Sequence, residues 1–515
     1  MINIIDNDKQ YITLLNERDE RGAMPDIKTV RKFAFDVGWV FAGSMAGLVL
    51  NFLKKPVMAR FLGPEGLGLV SMVTMIAGII TLIAGLGFNS AIVKYTAQYK
   101  DDRNRLSTIV SSGIVTMAIL GVFASITLFV LSNTLADVFN MPSLSFLLKI
   151  YAGVFPFSLI FGVLLALFNG LREMKYLTFI DILNKIMIFS FILILLFLGF
   201  GVIGALIGDM LALFVVVIIA ATTMKKFVNF KISDFKENTK MLTSFGSRIM
   251  GANSINLIQY QADSLLIGYF LTASDLGYYT AAVSLSRFFW RVPLSIQMIT
   301  YPATSEYWSK DKRESLNKMI DKSMKYSACI LLPVGLAVWF FAKDIVTFLF
   351  GDEFIYAVLP LQILLIGTVF SGITNVPIGG SLAGAGRPDL ALKFSGISSS
   401  INIILNLCLI PILGISGAAI ATTTSLMIGA LIFLFLTVRI TSIKIDIKWY
   451  TKILILLFII VLFFYIFKRF LSVHLVGCSA IIIFISLIFK IFLTRDDKNI
   501  FISIFKSMLH STFRR

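Results

Sequence analysis

The chain has 515 residues, of which 57% are hydrophobic and 15% are charged, and its mean hydropathy is +0.88. Because a water-soluble protein of this length could not bury so much apolar surface, the composition excludes a soluble protein and predicts an all-α integral membrane protein. The net charge of +17 comes from basic residues that lie mostly between apolar segments. This placement indicates membrane orientation and gives no reason to expect nucleic-acid binding.

The sequence contains no P-loop, no dinucleotide-binding fingerprint and no cluster of histidine, cysteine and carboxylate residues with the spacing of a metal site. The three cysteines, Cys329, Cys408 and Cys478, lie far apart in apolar runs and are predicted to be small core residues. The sequence therefore predicts no cofactor and no metal. Transport by this chain would not be driven by its own ATP hydrolysis.

In chain order, polar residues 1–33 are predicted to form a cytosolic tail, because they lack the apolar core and cleavage site of a signal peptide. About fourteen apolar segments follow, each long enough to cross about 30 Å of hydrocarbon as a helix. Segments 1 to 14 cover 34–62, 67–93, 108–131, 146–168, 176–198, 202–224, 243–271, 277–303, 324–342, 357–383, 391–411, 416–438, 450–471 and 474–493. Pro360 and Pro377 leave open whether segment 10 is broken.

These segments group into larger parts. After the tail, the predicted parts are an N-terminal six-helix bundle (34–224), a cytosolic linker (225–242), a C-terminal six-helix bundle (243–438), segments 13 and 14 (450–493) and a cytosolic tail (494–515). Lysine and arginine are concentrated in alternate loops, and the loops at 132–145, 199–201, 271–276 and 412–415 contain neither. This bias places both termini in the cytosol and makes the number of helices even.

The two bundles carry a repeat. Residues 60–69, RFLGPEGLGL, follow segment 1, and residues 269–278, YFLTASDLGY, follow segment 7, with Gly68 and Gly277 matched at an offset of 209. Matching stretches at the starts of segments 6 and 12 and after segments 4 and 10 keep nearly the same spacing. Since six helices separate the copies, the repeat is parallel, and it predicts a cavity between the two halves near the membrane midplane.

Segments 1 and 7 show matching polar faces. On segment 7 the face consists of Asn253, Asn256, Tyr260 and Asp263. Their spacings of three, four and three place them on one side of a helix. The equivalent positions on segment 1 are Ser44, Gly47, Asn51 and Lys54. One interpretation is that both faces line the shared cavity; the other is a hydrogen-bonded seam between helices.

Charges inside the segments are costly and need a reason. Arg287 and Arg291 lie one turn apart on segment 8, and Pro293 is predicted to kink the helix just after them. Arginine suits phosphate oxygens, which favours a phosphate clamp; the alternatives are pairing with Asp263 or Asp209, or snorkelling. Other cations in the segments are Lys54, Lys55, Arg60 and Arg248, and the first three could snorkel from the outer end of segment 1.

The remaining intramembrane polar residues are acids and amides. Asp181 and Lys185 are four apart on segment 5 and are predicted to form a self-neutralising pair. Asp209 and Asp263 could each carry a coupling proton or sodium ion, or could pair with the arginines. The uncharged polar residues of segment 11, which include Asn402 and Asn406, are predicted to form a packing face.

Three stretches carry a family resemblance: RFLGPEGLGL at 60–69, ADSLLIGYFL at 262–271 and GISGAAIAT at 414–422. With them the chain resembles the Wzx-type polysaccharide biosynthesis flippases of the multidrug/oligosaccharidyl-lipid/polysaccharide (MOP, MATE-like) exporter superfamily. The resemblance implies two six-helix bundles in a V around a cationic cavity, with two further helices similar to those of lipid II flippases. It also implies translocation of a polyprenyl-diphosphate-linked oligosaccharide from the inner to the outer leaflet of the cell membrane.

The function predicted from residues and resemblance together is such a flippase, working by alternating access and coupled to H⁺ or Na⁺. The residues predicted to bind the diphosphate are Arg287, Arg291, Lys54, Lys55 and Arg248. Those predicted to contact sugar are Asn51, Asn253, Asn256 and Tyr260, and those predicted to couple an ion are Asp209 and Asp263. The expected partners are the bilayer, the lipid-linked glycan, and a glycan polymerase or glycosyltransferases.

Two alternative functions remain. A cation-coupled multidrug exporter of the same superfamily would usually have twelve helices and an acidic cavity, which disagrees with segments 13 and 14 and with the basic residues. A polyprenyl-dependent membrane glycosyltransferase would need catalytic acids in a sizeable outer loop. The outer loops predicted here are short, so the protein is not expected to be an enzyme.

Overall fold

The structure is a computed structural model that describes residues 27–441, 445–494 and 497, without the side chains of 27–46, 251–260, 383, 388, 391 and 392. These residues form helices and connecting turns, and no strand occurs among them. They divide into two compact units. One unit lies within 43–445, and the other lies within 1–42 and 446–515.

The N-terminal half contains seven helices. They are α1 (Ile27–Gly85), α2 (Phe88–Gln98), α3 (Arg103–Val138), α4 (Pro142–Tyr151), α5 (Val154–Gly170), α6 (Met174–Phe197) and α7 (Gly201–Met224). Local signals set several of the starts. The Asp102 side chain accepts a hydrogen bond from the backbone N–H of Arg105 and caps α3, and Pro142 begins α4. The helix α1 begins at Ile27, inside the predicted tail of 1–33.

The C-terminal half contains eight α-helices and one 3₁₀ turn. They are α8 (Phe235–Phe270), α9 (Ala273–Phe288), α10 (Arg291–Ser309), α11 (Arg313–Phe340), α12 (Ala342–Phe350), the 3₁₀ turn Asp352–Ala357, α13 (Val358–Ile373), α14 (Ser381–Gly384) and α15 (Pro388–Thr441). Thr272 and Asp275 form a reciprocal capping box at the start of α9. This cap fixes where the chain turns between segments 7 and 8.

Glycines make the two predicted turns that follow segments 1 and 11. In α1 the backbone leaves the helix at Gly63, with φ of 65°, and in α15 it does so at Gly414, with φ of 60°. Residues with a Cβ rarely adopt these angles, so glycine permits both turns. The turn predicted at Gly63-Pro64 is therefore confirmed, as is the separation of segments 11 and 12.

Segment 8 is broken, but not where the sequence predicted. The helix α9 ends at Phe288 and α10 begins at Arg291, so the break lies between the two arginines and not after Pro293. The prediction was wrong because the proline ring excludes the carbonyl four residues earlier, which breaks the helix before Pro293. Pro293 itself lies in the first turn of α10, where a missing N–H costs nothing.

Segment 10 has the break that its prolines left open. The chain is unwound from Thr374 to Gly380, around Pro377, whereas Pro360 lies in the first turn of α13 and leaves that helix intact. The Thr300 hydroxyl of α10 donates a hydrogen bond of 2.7 Å to the Pro377 carbonyl oxygen. This bond satisfies a backbone acceptor that the unwound stretch exposes.

The two halves of the larger unit share an apolar core at the start of α8. Leu242 of α8 is fully buried against Phe88 and Ile92 of α2 and Ile109 of α3. Because neither Gly87 nor Gly246 has a side chain, their backbones can approach closely; a Cβ at Gly246 would lie 2.3 Å from the Leu86 carbonyl oxygen. The first turns of α8 are thus packed on the N-terminal half.

Among the residues described, nine helices are long and apolar enough to cross a membrane, or ten if α4 and α5, bent by 49°, form one span. Every predicted segment overlaps a described helix, and two of the nine, α1 and α15, contain a glycine break. The chain is therefore a multi-span helical membrane protein. A number of fourteen spans is not confirmed.

The smaller unit contains α16 (Ile447–Phe467), α17 (Val473–Leu487) and a π-helical turn, Ile488–Phe492. The indole N–H of Trp449 on α16 donates a hydrogen bond of 3.2 Å to the Phe492 carbonyl oxygen, and the two rings lie edge to face with centroids 5.5 Å apart. Tryptophan is an ordinary anchor for the end of a membrane helix. This contact holds the start of α16 to the π-helical turn that follows α17.

Candidate functional site

Asp263 is the most buried charged residue of the predicted site. Its side chain is 1% exposed near the end of α8. One carboxylate oxygen accepts hydrogen bonds from the Tyr279 hydroxyl at 2.8 Å and the Thr422 hydroxyl at 2.7 Å. The other accepts one from the Asn406 amide at 3.0 Å. Three helices, α8, α9 and α15, thus converge on one carboxylate.

Two amide oxygens beside this carboxylate have no hydrogen-bond partner. Asn402 is 3% exposed and Asn406 is fully buried, and the side-chain oxygen of each is unpaired. Their NH₂ groups are used: Asn402 donates to the Thr422 and Ser425 hydroxyls, both at 3.3 Å. Unpaired buried oxygens are costly, so a cluster that keeps two next to a carboxylate is chemically suited to a hard cation.

A pocket adjoins this cluster on the side of Arg287. It is a small cavity of about 20 Å³ between α9, α13 and α15. Its polar lining consists of Ser286, Arg287, Trp290, Thr368, Asn402, Thr422 and Ser425. The Trp290 indole N–H donates a hydrogen bond of 3.2 Å to the Thr368 carbonyl oxygen. Asn402 and Thr422 belong to both the pocket and the Asp263 cluster. A water molecule or small ion in the pocket would therefore lie close to both the guanidinium and the Asp263 cluster.

Three predicted cations come together from the two halves. Lys54 and Lys55 on α1 and Arg287 on α9 are each half-buried. The charges that repel the Lys55 ammonium most strongly are Arg287 and then Lys54. The rings of Phe52 and Phe288 are in contact beside them, with centroids 4.9 Å apart. We call Lys54, Lys55 and Arg287 the cation cluster; its mutual repulsion would be relieved by a bound anion.

The other predicted site residues are exposed side chains, one half-buried aspartate and residues outside the described side chains. Arg248 on α8 and Arg291 at the start of α10 are exposed, and so is Asn51 on α1. Asn253, Asn256 and Tyr260 fall in 251–260, outside the described side chains. Asp209 is half-buried in the N-terminal half and accepts a hydrogen bond of 2.5 Å from the Tyr151 hydroxyl.

The predicted pair on segment 5 is confirmed. The Lys185 ammonium lies 2.5 Å from an Asp181 carboxylate oxygen, one turn away on α6. The three hydrogen-bond partners of Asp263, which are Tyr279, Thr422 and Asn406, are in contrast not among the predicted site residues. The sequence predicts a packing face for Asn402 and Asn406 and no role for Tyr279 and Thr422. Their polar spacing on segment 11 was visible, but the link to Asp263 spans 143 residues for Asn406 and no local pattern reports it.

The turn after segment 1 makes a paired contact with the turn after segment 7. A Cβ at Gly68 would lie 1.8 Å from the Ala273 carbonyl oxygen, and one at Gly277 would lie 1.9 Å from the Pro64 carbonyl oxygen. The offset of 209 relates Gly68 to Gly277 and Pro64 to Ala273. The two contacts are therefore the same contact made twice across the repeat axis.

Arg60 adds a polar contact to this junction. Its guanidinium donates hydrogen bonds to the carbonyl oxygens of Phe348 and Leu349, the latter at 3.1 Å, in the last turn of α12. The C-terminal carbonyls of a helix carry partial negative charge, so a cation is favourable there. The residue at the edge of the first turn is thus a cap on a helix of the other half.

Repeated halves, apolar spans and charged side chains held inside those spans define the class of the molecule: a membrane protein built like a transporter. The sequence model of the family described as "Polysaccharide biosynthesis protein" matches residues 57–359, more than half of the chain. The chain belongs to this family.

Characterised relatives and solved structures agree with the family. The probable low-salt glycan biosynthesis flippase Agl15 of Haloferax volcanii is 27% identical over 79% of this chain and 83% of its own. The succinoglycan biosynthesis transport protein ExoT of Rhizobium meliloti is 25% identical over 64% of each chain. The lipid II flippase MurJ, in an inward closed conformation, superposes with a TM-score of 0.70 and 18% identity over 88% of this chain and 99% of its own.

A multidrug resistance MATE family transporter of the MOP superfamily, in an inward-facing conformation, superposes with a TM-score of 0.63 and 19% identity over 77% of this chain and 95% of its own. At these identities the two structures show the fold alone. The membership of a polysaccharide biosynthesis family expected from the sequence motifs is confirmed, and the fold is the one that these transporters share.

Proposed function

We propose that the protein is a flippase that moves a polyprenyl-diphosphate-linked oligosaccharide from the cytoplasmic to the outer leaflet of the cell membrane, with both termini in the cytosol. The observation that carries the proposal is the cation cluster, in which Lys54, Lys55 and Arg287 from two halves of a membrane protein lie close together. Like charges gathered at this depth are unfavourable unless an anion joins them. A diphosphate supplies that anion, and the family and the named relatives supply the glycan.

Arg248 and Arg291 remain proposed as further contacts for the diphosphate, because both are exposed cations on the helices that flank the cluster. The sugars are proposed to contact Asn51, Asn253, Asn256 and Tyr260 on the polar faces of α1 and α8. A transporter of this kind moves its substrate and neither forms nor breaks a covalent bond. The protein is therefore proposed to act without catalytic residues.

The flippase would work by alternating access. In this view the paired glycine contact is the closed outer gate, since Gly68 and Gly277 bring the two halves together at the turns predicted to face outward. Opening it would separate the halves on that side while the apolar contacts around Leu242 form the opposing gate. Rigid halves that rock about a central site are the usual mechanism of proteins with this repeat.

Cation coupling is proposed at the Asp263 cluster. A sodium ion there would take the carboxylate of Asp263, the Thr422 hydroxyl oxygen and the two unpaired amide oxygens of Asn402 and Asn406. Oxygen donors of this mixed kind suit hard cations. Asp209 is the weaker candidate, because its only described polar partner is the Tyr151 hydroxyl, which donates to it. A proton on Asp209 remains the alternative route for coupling.

The test is a triple variant in the native cell, K54Q/K55Q/R287Q, expressed in place of the wild-type chain. We expect loss of surface glycan and accumulation of the lipid-linked oligosaccharide in the cytoplasmic leaflet, with the protein present in the membrane at the wild-type level. The matched control is R387Q, which removes an exposed cation paired with Asp389 at 3.2 Å. Normal surface glycan in the triple variant would overturn the proposal.

A further inference from the structure

The ion pair on α6 lies where hydrocarbon tolerates charge least. Lys185 is the twelfth of 24 residues in α6, a helix long and apolar enough to span the membrane. Its side chain is 33% exposed and that of Asp181 is 43% exposed. Charged groups at the middle of a span face protein or water and avoid lipid, because lipid contact is costly. Their exposure therefore indicates an aqueous cavity.

The neighbour of Lys185 identifies which cavity this is. A Cβ at Gly47 of α1 would lie 2.8 Å from the Lys185 Cδ atom and 3.3 Å from its Nζ atom. Glycine at position 47 therefore leaves room for the lysine side chain to lie across α1. Any larger residue there would displace the ammonium.

Gly47 shares a helical face with two residues of the proposed site. Asn51 and Lys54 follow it by four and seven residues, so all three lie on one side of α1. At 1.5 Å per residue, Lys54 is about 10 Å further along the helix than Gly47. The Lys185 ammonium is thus placed on the face that leads to the cation cluster, about two turns nearer the predicted cytosolic end.

We propose that Lys185 is a further anion-binding residue of the flippase and that Asp181 is its resting counter-ion, which the diphosphate of an arriving substrate displaces. The inference rests on the proposed function for the class of substrate. It gives Asp181 and Lys185 a role in binding the substrate, which a purely self-neutralising pair would not have. Asp181 balances the charge of Lys185 in the empty cavity, and it competes with the substrate for the ammonium.

This competition gives the two residues opposite effects on binding. Replacement of Asp181 by asparagine removes the competitor, and since exposed ion pairs are weak, we expect farnesyl diphosphate to bind about 2- to 5-fold more tightly. Replacement of Lys185 by glutamine removes a charge-assisted contact, and we expect about 3- to 10-fold weaker binding. The double variant should match K185Q alone, because Asp181 acts only through Lys185.

The measurement is equilibrium binding of farnesyl diphosphate to the purified full chain in detergent, with farnesol and inorganic pyrophosphate as separate probes. Farnesol should bind equally to all variants. If the phosphates alone are recognised, pyrophosphate should rank the variants by affinity in the same order as farnesyl diphosphate does. K185R, which retains the charge, should bind like the wild type. E306Q removes one carboxylate from another pair of the same spacing, Glu306 and Lys310 at 2.6 Å, and controls for the general effect of charge.

The outcomes separate this inference from the proposed function. If R287Q weakens the binding of farnesyl diphosphate while D181N and K185Q leave it unchanged, the diphosphate site stands and the role of Lys185 is refuted. Equal weakening by D181N and K185Q, with matching losses of thermal stability, would mean a purely structural pair and would also refute it. If the wild-type chain binds neither diphosphate better than farnesol, both the inference and the proposed diphosphate site fall.

Discussion

Replacing Gly68 or Gly277 by alanine should open the proposed outer gate. The added methyl carbon would lie 1.8 Å from the Ala273 carbonyl oxygen in one variant and 1.9 Å from the Pro64 carbonyl oxygen in the other. Ordinary contacts of a Cβ begin at 3.4 Å, so the two turns must separate by about 1.5 Å. Since the opposing atoms are backbone, no side-chain rotation can relieve the overlap.

The size of the effect follows from the cost of overpacking. Extra methyl groups in a well-packed site cost about 1 to 3 kcal/mol. Here the cost falls only on the conformation in which the gate is closed, so it shifts the equilibrium toward the outward-open form by about 5- to 150-fold. The double variant should add little to either single variant, because both methyl groups strain one junction.

The assay is labelling of a cysteine in the cavity by a membrane-impermeant maleimide added outside the cell. Asn51→Cys is the reporter, since Asn51 is exposed on the polar face of α1, and Cys329, Cys408 and Cys478 are first replaced by serine. We expect faster labelling in the Gly68→Ala and Gly277→Ala backgrounds. Gly78→Ala is the matched control, because a Cβ at Gly78 meets no atom within 4 Å. Labelling at the Gly78→Ala rate in both gate variants would refute the reasoning.

Three further predictions concern other contacts. Sodium should raise the melting temperature of the purified protein relative to choline, by an amount equivalent to about 2.7 kcal/mol at a hundredfold excess over Kd. D263N and T422V should abolish this effect and D209N should retain it; the reverse pattern would move coupling to Asp209. R60Q removes the hydrogen bonds to the Phe348 and Leu349 carbonyl oxygens and should speed labelling of the Asn51→Cys reporter. Because Arg60 is exposed, these bonds should stabilise the closed gate by at most about 1 kcal/mol, and an unchanged labelling rate would remove Arg60 from the gate. T272A removes the capping box of α9 and should lower thermal stability by about 1 kcal/mol. T127A, which removes a hydroxyl that donates to the Phe123 carbonyl oxygen one turn away, should not, and equal losses would contradict the cap.

Local chemistry explains which parts of the fold could be predicted. The turns at Gly63 and Gly414 were predictable, because glycine and proline act on their immediate neighbours. The break in segment 8 was misplaced by a few residues since the effect of Pro293 reaches back to the preceding turn. The pairing of Lys185 with Asp181 was predictable from a spacing of one turn.

The Asp263 cluster shows why the site could be predicted only in part. Its central carboxylate stood out because it is a charge in an apolar segment. Its partners Asn406 and Thr422 did not, since each is an ordinary polar residue until the fold of α15 brings it to Asp263. The same holds for Asn402, which joins the cluster through Thr422. Amides and hydroxyls are common as packing groups in membrane helices, so only their tertiary positions distinguish a site from a seam.

The repeat relates the proposed diphosphate site to the proposed cation site. At the gate, the offset of 209 matches glycine to glycine, and the scaffold is symmetric. In the interior, the same offset matches Lys54 to Asp263, so one duplicated position holds opposite charges. Lys54 belongs to the cation cluster proposed to bind a diphosphate, and Asp263 belongs to the oxygen cluster proposed to bind a cation. Because a parallel repeat places equivalent residues at one depth, we infer that substrate anion and coupling ion bind at the same level, so that rocking of the halves exposes both together.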